Sequence, residues 1–113
     1  MNILIVGGAG YIGAHTVLDV LDAGNSVVVF DNFSTGQIKN IDPRAKVFKG
    51  DILSKKDLKK VFKKYDFEAV MHFCGLKAAG ESMSNPNLYS EVNIIGSLNL
   101  INTMLAYNVK KII

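Results

Sequence analysis

Apolar residues gather in short unbroken runs, Ile3-Leu4-Ile5-Val6, Val27-Val28-Val29-Phe30 and Ala69-Val70-Met71, with no polar residue at every second place. A strand wetted on one face alternates apolar and polar side chains, whereas a strand covered by helices on both faces does not. The runs therefore predict strands at Asn2–Val6, Ser26–Asp31, 45–49 and 69–73 in a parallel sheet. Between them, apolar positions recur with the helical period at 11–23 and 55–65. Gly24 follows the first helix as a C-cap, and Ser54 with Asp57 three residues on predicts a capping box before the second. The alternation reads βαβαβαβαβ, an α/β fold built on a doubly wound parallel sheet.

A third helix is predicted from Pro86 to about residue 107, proline being tolerated in a first turn. Its apolar positions Leu88, Val92, Ile94, Ile95, Leu98, Leu100, Ile101, Met104 and Leu105 fall around nearly the whole circumference. A helix apolar all round is buried on both sides. One side takes the sheet, and the other requires a partner subunit or further sequence as its cover. Residues 109–113 start a fifth strand with no turn or polar closing residue after it. The expectation is one domain, 1–113, truncated in its fifth strand.

Composition narrows the class. The 113 residues, 49% hydrophobic and 20% charged, exclude a disordered tail, a collagen-like fibre and a disulfide miniprotein. The net charge is only +3, and Lys55, Lys56, Lys59, Lys60, Lys63 and Lys64 crowd one stretch, interleaved with Leu58, Val61, Phe62 and Tyr65. That spacing describes a solvated face over a buried one, so no nucleic-acid partner is expected. Cys74 is the single cysteine, which rules out an internal disulfide and leaves no zinc-like spacing, in keeping with a reducing cytoplasm. His15 has no metal-ligand partner one turn on, and His72 ends an apolar strand as a core histidine. No metal is expected. Nothing approaches the roughly 18 apolar residues of a membrane span, and no signal-peptide core is present.

Candidate chemistry begins at Gly7-Gly8-Ala9-Gly10-Tyr11-Ile12-Gly13, directly after the first strand and opening the first helix. In the spacing Gly7-x-x-Gly10-x-x-Gly13 the first glycine permits a tight turn and the second a close approach of backbone to a pyrophosphate. The third allows tight helix–strand packing. The helix N-terminus adds free N–H groups and the positive end of a dipole. A phosphate loop of the Lys-Ser/Thr kind is excluded, because those positions hold Ala14 and His15. The sheet is accordingly Rossmann-type.

Asp31 ends the second strand 18 residues beyond Gly13, where a carboxylate accepts hydrogen bonds from the ribose hydroxyls of an adenosine. A 2′-phosphate would be repelled there, and the next basic residue, Lys39, is eight positions away, which favours NAD over NADP. Gly50-Asp51-Ile52 closes the third strand at the same sheet edge, within reach of an adenine.

These residues resemble the extended short-chain dehydrogenase/reductase family, and the stretch from His72 to Ser82, with Gly75-Leu76-Lys77-Ala78 at its centre, is similar to that of its sugar-nucleotide 4-epimerases. The resemblance covers the entire chain. It implies NAD as cofactor, with Gly7, Gly10, Tyr11, Ile12 and Gly13 at the pyrophosphate. Asp31, Asn32, Phe33, Ser34, Thr35 and Gly36 would wrap the adenosine, and Asp51 and Ile52 would flank the adenine. Phe73, Cys74, Gly75 and Lys77 would line the nicotinamide side, Lys77 through its ribose. The family's asparagine near the nicotinamide aligns with Val92, beside Asn93.

The resemblance further implies that the parent enzyme interconverts UDP-glucose and UDP-galactose through a transient 4-keto sugar and enzyme-bound NADH, as a homodimer paired through helices. That chemistry needs a tyrosine and lysine one turn apart on a helix, the lysine lowering the phenol pKa. Tyr107-Asn108-Val109-Lys110-Lys111 has the spacing but straddles a helix end, and it precedes the family's position for the pair. No catalytic residue is therefore assigned, and the chain by itself is expected to be inactive. A sugar-nucleotide dehydratase and a noncatalytic NAD-binding module remain the alternatives.

Overall fold

The computed structural model describes residues 1–7, 11–33, 38–73 and 86–112, with only the backbone of Tyr11, Ile38 and residues 86–93. Its elements are β1 (Asn2–Val6), α1 (Tyr11–Asp22), β2 (Ser26–Asp31), β3 (Lys46–Lys49), α2 (Lys55–Lys64), β4 (Ala69–His72) and α3 (Pro86–Ala106). The four strands form one parallel sheet in the order β3-β2-β1-β4. The strands and helices stand within a residue or so of their expected places.

The lack of alternation in the sequence has a direct cause. Leu4 and Val6 of β1, with Val28 and Phe30 of β2, face a core closed by Leu58, Val61 and Phe62 of α2 and Leu100 and Met104 of α3. Ile3, Ile5, Val27 and Val29 face the other side, under Val17 and Leu21 of α1. Each central strand is thus buried on both faces, and each buried aliphatic side chain contributes about 1.5–3 kcal/mol.

One expectation requires correction. No helix separates β2 from β3 among the described residues; the connection holds a single 3-10 turn, Ile38–Asn40. Turn-forming Asn40, Asp42 and Pro43 stand there beside only two large aliphatics, Ile38 and Ile41, too few for a helical face. The expected fifth strand begins, among the described residues, as one parallel bridge, Val70 to Ile112, supported by Val70 N–H donating to Lys111 O at 3.0 Å. Residues 109–111 approach β4 without forming a ladder, Lys110 and Lys111 being turned to solvent.

Caps behave as local chemistry dictates. Gly24, at φ +92°, ends α1. Ser54 accepts from Asp57 N–H at 3.2 Å at the start of α2, but the Asp57 carboxylate does not return to Ser54 and instead takes Asp51 N–H at 3.1 Å. Half of the capping box forms, and its other arm braces the preceding loop.

Candidate functional site at the carboxyl edge of the sheet

Because all four strands are parallel, their carboxyl ends share one edge, where ligands of open α/β sheets bind. A row of backbone hydrogen bonds ties the chain exits together: Phe73 N–H to Val6 O at 2.6 Å, Gly7 N–H to Phe30 O at 2.7 Å, and Gly50 N–H to Asp31 O at 3.0 Å. The row sets Gly7, Asp31 and Gly50 side by side in strand order. Gly7 leaves β1 at φ +85°, a conformation strained for any residue with a Cβ, which turns the chain toward α1. In the first turn of α1, Ile12 is 59% exposed at the edge, while Gly13 is buried.

Asp31 is 8% exposed, and one carboxylate oxygen accepts Phe33 N–H at 2.8 Å. This Asx turn holds the acid at the strand tip and carries Phe33 into the left-handed region, φ +60°. Asn32 is exposed, and the Phe33 ring packs partly buried on the α1 side of the core. Phe73, half-buried, packs against that same cluster from the end of β4.

At the third exit, Asp51 Oδ1 accepts Leu53 N–H at 2.9 Å, and Ser54 N–H donates to Asp51 O at 2.9 Å. The Ile52 side chain, 4% exposed, points into the core rather than along the edge. Gly10, Ser34, Thr35, Gly36, Cys74, Gly75 and Lys77 lie outside the described residues, as does the side chain of Tyr11.

Two residues that the sequence reading passed over also bear on this edge. Asn99 of α3, 5% exposed, donates from its side-chain amide to Ile52 O at 3.2 Å and Leu53 O at 3.3 Å. Gly96, one turn earlier, lies against Ile52, whose Cγ2 would be 2.8 Å from any Cβ there. An asparagine on the buried side of an apolar helix and a glycine inside it were the available signals.

Tyr107 lies far from these residues. α3 descends from the carboxyl edge, and the chain after it returns at Ile112 to meet Val70 near the start of β4, so Tyr107, just past the helix end, sits toward the amino edge, its ring 5.8 Å from that of Phe62. A cavity of about 460 Å³ opens at that same amino edge, lined by Asn2, Ser26, Arg44, Lys46, Tyr65 and Asp66 among others. It is remote from the row of strand exits.

The strand order, the glycine exit and the acid at the tip of β2 define an α/β protein of the Rossmann-like, dinucleotide-binding class. The family model described as "NAD dependent epimerase/dehydratase family" matches residues 3–113, and the chain belongs to that family. It is similar to the UDP-glucose 4-epimerase of Yersinia enterocolitica, 42% identical over 120 residues that span 100% of this chain and 36% of the relative. The mouse enzyme of the same name is 43% identical over 125 residues, covering 99% of this chain and 36% of the relative. The crystal structure of the Thermus thermophilus UDP-glucose 4-epimerase in complex with NAD superposes with a TM-score of 0.95 at 35% identity, covering 99% of this chain and 36% of that one. The chain spans about a third of the length of the relatives it matches.

Proposed function

We propose that these residues form the NAD-binding part of a UDP-glucose 4-epimerase, an isomerase that interconverts UDP-glucose and UDP-galactose. The observation that carries the reading is the pairing of Gly7 with Phe30 O, which sets the glycine exit of β1 beside Asp31 at the tip of β2. The donor set fits NAD. Gly7 and the first turn of α1 offer backbone to the pyrophosphate, and the anchored Asp31 carboxylate suits two ribose hydroxyls. Arg44 stands at the opposite, amino edge, paired with Asp22 at 2.9 Å and Asp42 at 3.0 Å, and so brings no charge to a 2′-phosphate beside Asp31.

Bound NAD supplies a hydride acceptor and donor for a sugar carbon. This chain's part is to hold the cofactor: Asp51 at the adenine, and Phe73, Cys74, Gly75 and Lys77 on the nicotinamide side. The acid/base pair belongs outside these residues, because Tyr107 packs on Phe62 toward the far edge. No conversion of UDP-galactose by the 113 residues alone is expected.

Ile94, Leu98, Ile101 and Leu105, spaced four, three and four residues apart, are 44–65% exposed on α3 and supply a helical seam for a homodimer. A cytoplasmic location accords with the lone cysteine, and no helix among the described residues is long and apolar enough to cross a membrane.

Calorimetric titration of the purified chain with NAD and with NADP tests the cofactor reading. NAD is expected to bind the more tightly; equal or tighter NADP binding, or no binding of NAD, would overturn it.

A further inference from the structure

The loop that leaves β3 is held by three different elements. β2 holds Gly50 N–H through Asp31 O, α2 holds Asp51 N–H through the Asp57 carboxylate, and α3 holds the Ile52 and Leu53 carbonyls through Asn99. The third attachment is distinctive because α3 otherwise packs in the core behind the edge, through Leu100 and Met104. Both neighbours of the Asn99 amide nitrogen are carbonyl oxygens, so its NH₂ group must face them, and aspartate or leucine at this position supplies no donor. Gly96 completes the contact. Without a Cβ it lets Ile52 lie directly on the helix, where even a methyl group would meet Ile52 Cγ2 at 2.8 Å.

We infer that Gly96 and Asn99 form a latch by which α3 positions the Asp51–Leu53 loop for reading the adenine of the cofactor. The inference rests on the proposal that this edge binds NAD. With the loop latched, Asp51 Oδ1 is fixed by Leu53 N–H, and Oδ2 has no hydrogen bond among the described residues. An acceptor oxygen held at that place favours a base edge that carries an amino group and disfavours one that carries a carbonyl. Asn99 touches neither cofactor nor substrate, so it is a positioning residue, and losing it should blur the choice of base more than it harms the fold.

The test compares NAD with nicotinamide hypoxanthine dinucleotide, in which the adenine amino group is replaced by a carbonyl. The native chain is expected to prefer NAD by about tenfold, the scale of one hydrogen bond to a charged group. In Asn99→Leu, which keeps the bulk and removes both donors, the preference should fall to about twofold or less. Exchange of the Leu53 amide proton, measured without ligand, should accelerate. Gly96→Ala guards against a variant that fails to fold: alanine favours the helix backbone while displacing Ile52, so the preference should fall with the helix intact.

A general loss of structure lowers both affinities alike and leaves their ratio unchanged, and that result would overturn the latch. So would a native chain that binds NAD but does not distinguish the two dinucleotides. A native chain that binds neither would instead sink the NAD reading itself, and would do so before any variant is made.

Discussion

Gly50 and Phe30 are packed so closely that a Cβ on the glycine would stand 2.5 Å from Phe30 Cε2 and 2.7 Å from Cζ. Phe30 has no room to yield: it is fully buried and stacks on Phe48 at 5.8 Å. Gly50→Ala should therefore destabilise the chain by about 1–3 kcal/mol, the scale of overpacking in a filled core. Urea denaturation checks this, and unchanged stability would mean that the β3 exit can shift as a unit. Such a shift would lengthen the Gly50 N–H to Asp31 O bond, and NAD affinity rather than stability would then fall.

Asp31→Ala should weaken NAD binding by about 1–3 kcal/mol, the scale of hydrogen bonds to a charged group. The variant also loses the acceptor for Phe33 N–H. NADP affinity should rise relative to NAD as the repelling charge disappears. Parallel titrations with the two cofactors give the comparison, and a preference for NAD that survives the substitution would place the selectivity elsewhere.

The exposed seam of α3 predicts self-association. Ile101 and Leu105 are 44% and 65% exposed, and neither packs into the cores on the two faces of the sheet. Sedimentation over a concentration series should show dimer formation that the double variant Ile101→Glu, Leu105→Glu abolishes without loss of thermal stability. A native chain that stays monomeric at high concentration would refute the homodimer.

The Asp42 carboxylate is held below the ordinary carboxylate range, first by the Arg44 side chain and then by the Arg44 backbone N–H. Its folded pKa is depressed, so its contribution to stability is present above the unfolded value of about 3.9 and fades as pH falls through the folded value. Arg44 is half exposed and Asp42 partly so, and the contribution is small. Arg44 shifts in the opposite direction, upward, and stays charged throughout. An NMR titration should place the Asp42 midpoint low and move it up in Arg44→Gln. An unmoved midpoint would show that the backbone N–H alone sets it.

What could be read from the sequence divides along physical lines. Val27–Phe30 announced a strand buried on both faces because burial acts on every side chain in turn, and Gly7 announced a turn because its φ excludes other residues. The place of Asp31 at the tip of β2 was legible for a similar reason: the apolar run ends there, one residue after Phe30. Asn99 was not, since its partners lie 46 and 47 residues away and only folding brings them together. Residues 32–45 misled because a parallel connection usually contains a helix, while these residues lack the apolar face to make one. The outer face of α3 was legible as an excess of apolar residues, but pattern alone did not show that the inner face would accept Asn99 and Thr103.

β1 lies between β2 and β4, and its pairing with β4 joins Ile3 to Ala69, against Val27 on its other side. On a ribosome adding about 5–20 residues per second, the first strand made finds its second neighbour only after roughly 3–13 s. Throughout that interval Ile3, Leu4, Ile5 and Val6, the most deeply buried run of the finished sheet, have at least one open edge. The stretch of synthesis between α1 and β4 is then the period in which this edge stays open, and substitutions that slow the docking of β4 should show as lost yield rather than lost affinity.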